Sequence, residues 1–314
     1  MAPLDIIGQP VLRREDARFL VGRGRYVSDV PMESALSVVV VRSPHAHARI
    51  ERIDVETACR LPGVIGAFRL SDLPELRGVL PPPIVPAVVV KPYRQSALAD
   101  GVVRFAGEPV VAVIATDPYR AADAAAAVGV DYTPLPAVID PLRAADDPTA
   151  LVHADWNTNV AATVLLDTGD VDAVLPRAHL VVTRRIRCGR VTALPMEPRA
   201  VLARWDAVTT SLHVWSSTQM PYGVRQRIAE ALGLEPHAVR VTAPDVGGGF
   251  GTKGPVYPEE LLVATLARRL GRPLRWIDTR QDGFISTTHA GPRLGRLSEP
   301  SRHRAEPGRP RDVS

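Results

Sequence analysis

Val239-Arg-Val-Thr-Ala-Pro-Asp-Val-Gly-Gly-Gly-Phe-Gly-Thr-Lys253 is the stretch on which the reading of this chain turns. A short β-type run, Val239 to Ala243, enters a loop of three consecutive glycines, and Gly251 follows after one aromatic residue. Such a loop carries little side-chain bulk, so its backbone tolerates positive φ and close approach to a ligand. N–H groups in a glycine run ahead of a helix favour anionic or oxo ligands. The helix comes next. Pro258 to Leu270 opens on proline and two glutamates, ends on Arg268 and Arg269, and is stopped by Gly271 and Pro273. Leu262, Leu266 and Leu270 form its expected buried stripe. A phosphate-binding P-loop fails on order, because Gly251-Thr-Lys-Gly254 replaces the required Gly-Lys-Ser/Thr. A dinucleotide fingerprint fails on glycine spacing. The plain alternative is a flexible turn between strand and helix.

Upstream, the pattern predicts strands at Val160–Leu166, Leu180–Ile186, Ala200–Trp205 and Ser211–Trp215. A helix from Pro221 buries Val224, Ile228 and Leu232 and ends at Gly233. Between the last strand and that helix lies Trp215-Ser-Ser-Thr-Gln219, whose glutamine carries an amide that donates hydrogen bonds without competing for a metal. Nearer the N-terminus, strands are expected at Leu36–Val41, Ala48–Val55, Val64–Phe68 and Pro109–Ala115. A helix capped by Asp117 and a strand at Val128–Tyr132 complete a βαβ unit. Residues 72–99 are proline-rich and read as irregular. The expected organisation is an extended segment (1–18), a first α/β domain (19–138), a linker (139–158), a second domain (159–289) and a disordered Arg/Pro-rich tail (290–314). Only four of the last 24 residues are apolar, too few for a core element.

Composition bounds the function. Of 314 residues, 46% are hydrophobic and 23% charged, as in ordinary globular proteins. The net charge of +4 sits largely in residues 291–314, where six arginines face two glutamates and one aspartate, which argues against nucleic-acid binding. No run of apolar residues is long enough for a membrane span, and the N-terminus lacks the pattern of a secretory signal, so a cytoplasmic location is expected. Cys59 and Cys188 are too few for an iron–sulfur cluster. His45 and His47 lie two apart on an expected strand and are read as structural, since two ligands do not close a metal site.

The order Met196-Glu-Pro-Arg199, Trp215-Ser-Ser-Thr-Gln219, Pro244-Asp-Val-Gly-Gly-Gly-Phe-Gly-Thr-Lys253 resembles the molybdenum-binding large subunit of molybdenum hydroxylases, the family of xanthine dehydrogenase, aldehyde oxidase and carbon monoxide dehydrogenase. Arg14-Glu-Asp-Ala-Arg-Phe-Leu-Val-Gly-Arg-Gly-Arg-Tyr26, Val41-Arg-Ser-Pro-His-Ala-His-Ala-Arg-Ile50 and Gly107-Glu-Pro-Val-Val-Ala-Val-Ile114 agree with its opening. The likeness spans roughly residues 6–289. It implies an α/β (α+β mixed) chain, with an α/β-hammerhead domain followed by an incomplete molybdopterin-binding domain. It also implies a molybdenum–molybdopterin cofactor in the cytosine dinucleotide form, with no direct side-chain ligand to the metal. By the same match Gln219, Gly248, Gly249, Phe250 and Gly251 face the cofactor. Glu197 either lines the substrate channel or pairs with Arg199. No FAD and no iron–sulfur centre is expected on this chain, and the family supplies an FAD-binding medium subunit and a 2Fe-2S small subunit as partners, with homodimerisation of the assembly also open. The family subunit is much longer, and its general-base glutamate has no counterpart here. The chain therefore reads as truncated and inactive alone, with no catalytic residue of its own. Two functions stand: a subunit for oxidative hydroxylation of an aldehyde, a purine-like heterocycle or a similar small substrate with oxygen from water, or a non-catalytic remnant or accessory protein.

Overall fold

The computed structural model describes residues 7–81, 90–164, 169–289 and 293–301; of Arg185 and of 293–301 only the backbone is described. Twelve strands form three sheets: β1 Leu36–Arg42, β2 Ala48–Asp54, β3 Val64–Phe68, β4 Val102–Val103, β5 Pro109–Ala115, β6 Gly129–Pro134, β7 Leu180–Cys188, β8 Ala200–Asp206, β9 Ser211–Ser216, β10 Val239–Thr242, β11 Leu274–Ile277 and β12 Arg293–Ser301. The main sheet has the order β10-β9-β8-β11-β1-β5-β3, while β4-β2-β6 and β12-β7 stand apart. Four helices matter below: α1 Pro118–Ala126, α2 Pro221–Leu232, α3 Pro258–Leu270 and α4 Arg280–Ser286.

The sheet runs straight through the expected domain boundary. β1, from the first expected domain, pairs parallel with β11, from the second, through Leu36↔Leu274 and Val38↔Trp276. One apolar core consequently contains Val38, Ile114, Val201, Val214, Leu262 and Trp276 together. β5 shows why its sequence lacks alternation. All seven of its residues are buried, because Ala112 and Ile114 face this core while Val111 and Val113 face a second one. Helix α1 packs on β1 and β5, with the Asp117 side chain accepting the Tyr119 and Arg120 N–H groups and Pro118 at its first position.

Several expectations need correction. The βαβ unit is split: β5 lies in the main sheet, whereas β6 pairs antiparallel with β2 in the small sheet. His45 and His47 lie in the turn between β1 and β2 rather than on a strand. His45 packs against Tyr132, and Nδ1 of His47 lies 2.8 Å from the Pro136 carbonyl oxygen. The expected strand at Val160–Leu166 is reduced, over its described part, to one bridge between Ala162 and Val90; residues 165–166 lie outside the described residues. The expected linker holds a short helix, Pro141–Asp146, capped by Asp140. Within the expected disordered tail, Arg293–Ser301 pairs antiparallel with β7, since a two-stranded ladder is held by backbone hydrogen bonds and needs no apolar core; residues 290–292 and 302–314 lie outside the described residues. No helix among the described residues is long and apolar enough to cross a membrane.

Helix α3 is buried on all sides from Pro258 to Ala267, not along one stripe, and Glu259 and Glu260 are buried with it. It sits between β8, β9, β11 and α2. The Glu260 carboxylate accepts the Tyr257 N–H at 2.9 Å and the Ser216 hydroxyl at 3.2 Å. Burial raises this carboxyl from 4.5 to about 7, against the pull of Arg199 and with repulsion from Glu259 adding to the rise. A carboxyl raised on folding holds its proton more tightly in the native chain than in the unfolded one. Its contribution is fully present below the unfolded value and is lost as pH rises through about 7. Glu260→Gln has no such proton to lose. In urea denaturation its stability relative to the parent is expected to increase from about pH 5 to about pH 8. A difference that stays constant across that range would show that Glu260 titrates like an exposed carboxylate.

Candidate functional site

The sheet order gathers the site at one edge. β9 and β10 run parallel, so Gln219 after β9 and the glycine loop after β10 emerge side by side. β8 pairs antiparallel with both β9 and β11, which brings its entry, Glu197 to Arg199, to the same edge as the exit of β11 at Asp278. β1 runs parallel to β11 and delivers Arg42 there too. Ligands bind characteristically beyond such strand ends in α/β sheets.

The loop has a defined shape. Gly248, Phe250 and Gly251 all have positive φ, at +95°, +49° and +85°. For Phe250 this is a conformation that side chains rarely adopt and that clusters at ligand sites. Its ring is 76% exposed and folds back over Gly248, where an added Cβ would meet Cε2 at 2.8 Å. Gly249 touches Gln219: a Cβ there would lie 2.6 Å from the amide carbon and oxygen. Gln219 accepts the Gly251 N–H at Oε1, 3.1 Å away, and its own N–H donates to the Lys253 carbonyl at 2.9 Å. Its Nε2 amide and the N–H groups of Gly248, Gly249 and Phe250 have no acceptor among the described residues. Of the five residues expected to face a cofactor, Gln219, Phe250 and Gly251 are exposed and Gly248 and Gly249 half-buried, and four of them carry an unused donor.

Glu197 departs from one of its two expected roles. It does not pair with Arg199, and its carboxylate points at the glycine loop. Oε2 accepts the Gly247 N–H at 2.8 Å and the Lys253 ammonium at 2.7 Å. Arg199 instead joins a buried network. It donates to Glu259 at 2.9 Å, to Asp278 at 3.1 Å and to Ser286 at 3.1 Å, and stacks 4.1 Å over the Tyr257 ring. Arg42 reaches the same Glu259 carboxylate at 2.6 Å. Burial would raise the Glu259 carboxyl, but Arg199 and Arg42 overcome it and hold it at about 2. At Asp278 burial prevails, with Arg199 opposing and Glu259 adding, and its carboxyl rises to about 6.

Reading the sequence missed two supports of the loop. Asp245, at its entrance, receives both terminal nitrogens of Arg18 and the Arg25 N–H, the latter at 2.7 Å. The Arg14–Tyr26 segment is therefore a brace rather than an extended lead-in; part of it, Asp16–Leu20, is helical. Lys253 was read only as a failed P-loop lysine, yet its side chain is 1% exposed and pairs with Glu197. A charged residue within an otherwise neutral glycine loop is the signal that pointed to it. Beside the cradle opens a cleft of about 1100 Å³, bordered by Met220, Gly254, Tyr257, Phe105, Phe284 and Arg190.

Two family models match this chain. Residues 21–136 match the family model described as the aldehyde oxidase and xanthine dehydrogenase a/b hammerhead domain, and residues 152–298 match that of the molybdopterin cofactor-binding domain. The large subunit of nicotine 6-hydroxylase from Paenarthrobacter nicotinovorans is 36% identical over 286 residues, covering 91% of this chain and 35% of its own length. The carbon monoxide dehydrogenase large chain of Afipia carboxidovorans is 33% identical, covering 88% of this chain and 35% of its own. The crystal structure of quinoline 2-oxidoreductase from Pseudomonas putida 86 superposes with a TM-score of 0.85 at 40% identity, covering 92% of this chain and 36% of its own. The chain spans about a third of the length of these relatives.

Proposed function

This chain belongs to the molybdenum hydroxylase family, in the part of the large subunit that carries the hammerhead and molybdopterin-binding domains, and on that premise we propose that Gln219 and the 248–251 loop cradle a molybdenum–pterin cofactor. The donor set is the observation that carries the proposal. One side-chain amide and three backbone N–H groups lie on adjoining residues, and none has a protein acceptor among the described residues. Such an array suits oxo and pterin oxygens, and it offers no competing ligand to the metal. When bound, the cofactor supplies a two-electron oxidant, and water is the source of the oxygen placed on substrate carbon. The chain's own residues orient it. Gln219 points an N–H at an oxygen acceptor, the Gly251 N–H holds the Gln219 carbonyl in place, and the Phe250 ring closes one side.

Among the described residues no carboxylate near the cradle stands ready to move a proton. Glu197 is engaged by Gly247 and Lys253, Asp245 by Arg18, and Glu259 and Glu260 are buried. We therefore place the base of the reaction elsewhere in the assembled enzyme. Electron acceptors are also assigned to other subunits, an FAD-binding one and a 2Fe-2S one, since this chain has only two cysteines. For the substrate we favour a nitrogen heteroaromatic, because both nicotine 6-hydroxylase and quinoline 2-oxidoreductase stand among the relatives. The test is dye reduction by the assembled enzyme with pyridines, quinolines, aldehydes and carbon monoxide, in ¹⁸O-labelled water. Label on a ring carbon is expected. Turnover of aldehydes or carbon monoxide alone would overturn the substrate class, and no molybdenum-dependent turnover of any of them would overturn the function.

Gly249→Ala probes the cradle with little cost to the fold. Its Cβ meets the flexible end of Gln219 rather than backbone, so the amide swings away while the core is untouched. Unfolding free energy is expected to stay within about 1 kcal/mol of the parent, with molybdenum content clearly reduced. Full molybdenum content in this variant would remove the Gln219 amide from the cradle.

A further inference from the structure

We infer that Glu197 and Lys253 are a positioning pair that presets the glycine loop, and that Glu197 does not line the substrate channel. This inference deepens the reading of the loop as a cofactor cradle and rests on it. The two ends of the loop, Gly247 and Lys253, meet on one carboxylate oxygen, Oε2 of Glu197. The Glu197 N–H closes the contact in the other direction by donating to the Gly247 carbonyl at 3.2 Å. The fit is tight: a Cβ on Gly247 would lie 2.5 Å from Cβ of Glu197, so glycine is required there for contact rather than for φ.

Lys253 ties this clamp to the rest of the cradle. Its carbonyl accepts the Gln219 N–H at 2.9 Å and the Thr218 hydroxyl at 3.3 Å. Holding Lys253 therefore fixes the height of Gln219 as well as the end of the loop. Burial lowers the Lys253 ammonium, and the Glu197 carboxylate works against that fall. An ammonium with 1% exposure and no countercharge is strongly disfavoured, so the pair keeps the loop closed at its base. Between the two anchored ends lie Gly248, Phe250 and Gly251, all at positive φ, with no ladder of their own to hold them. Phe250 is the one of these for which positive φ is strained, and it needs the loop's ends fixed from outside. The second oxygen of Glu197 is buried without a hydrogen-bond partner among the described residues, and its side chain is 11% exposed, which leaves no carboxylate surface for a substrate.

Hydrogen exchange of the full chain tests this directly. In Glu197→Ala the hydrogen-bonded loop amides, those of Gly247, Gly251 and Thr252, are expected to exchange at least about tenfold faster, corresponding to a tenfold rise in local opening, while β1 and β5 stay protected. Glu197→Gln retains an acceptor for the Gly247 N–H and should restore part of the protection. Lys253→Met, which frees the far end of the loop, should also speed exchange there and serves if the alanine variant does not fold. Alongside, retained pterin is read by its fluorescence after release. Unchanged loop exchange in both Glu197→Ala and Lys253→Met would overturn the inference, as would a uniform rise across the whole chain. A responsive loop in a chain that holds no pterin supports the clamp and removes the cofactor reading. An unresponsive loop in a chain that does hold pterin does the reverse.

Discussion

Arg199→Met is expected to destabilise the fold by about 3–5 kcal/mol, the usual cost of removing one partner from a buried ionic group. Among the described residues Arg199 is the only cation within hydrogen-bond reach of Asp278, Arg42 standing 3.9 Å away, and it shares Glu259 with Arg42. Its removal leaves Asp278 buried without a cation in hydrogen-bond contact and takes a planar group off the Tyr257 ring. Methionine fills most of the volume, so the loss is electrostatic more than a cavity effect. The pair Arg60–Glu56 gives the contrast. Both of its side chains are more than three-quarters exposed, and Arg60→Met should cost less than about 1 kcal/mol. Urea denaturation of both variants would measure the two losses. An Arg199→Met loss as small as that of Arg60→Met would mean that the network contributes no more than a surface pair.

Gln219→Ala should leave folding intact and cut turnover of the assembled, molybdenum-loaded enzyme by about 10²–10³-fold, the loss that follows removal of one preorganised donor. Gln219 is exposed, and its one side-chain hydrogen bond is to the Gly251 N–H, so little stability depends on it. The rate of dye reduction per bound molybdenum is the quantity to compare. An unchanged rate in a molybdenum-replete sample would take Gln219 out of the reaction.

Much of the fold was legible in local signals. Asp117-Pro118, the capped start at Pro258 and the terminal Gly233 and Gly271 mark helices that form where expected, because caps act within one turn. The two segments proposed for the cradle were visible as motifs, and the structure brings Gln219 against Gly249 and Gly251. What could not be read was pairing across the chain. Nothing in Leu36–Arg42 announces that β1 will lie beside β11, more than 230 residues away, so the sheet shared by the two expected domains could not be foreseen. The same blindness hid Asp245–Arg18 and Glu197–Lys253, since a charge states only that it needs a partner and not where that partner is. The all-round burial of α3 was obscured by its own glutamates, which suggested a wet first turn and are held instead by Arg42, Arg199 and Ser216.

Molybdenum and pterin content tests the central claim most directly. The chain carries a tag and is recovered from its own cells with whatever subunits accompany it; metal is counted by mass spectrometry and pterin by fluorescence, per mole of chain. The account predicts molybdenum and pterin in equal and near-stoichiometric amounts, both falling together in Gly249→Ala. A well-folded parent assembly that carries neither would contradict it.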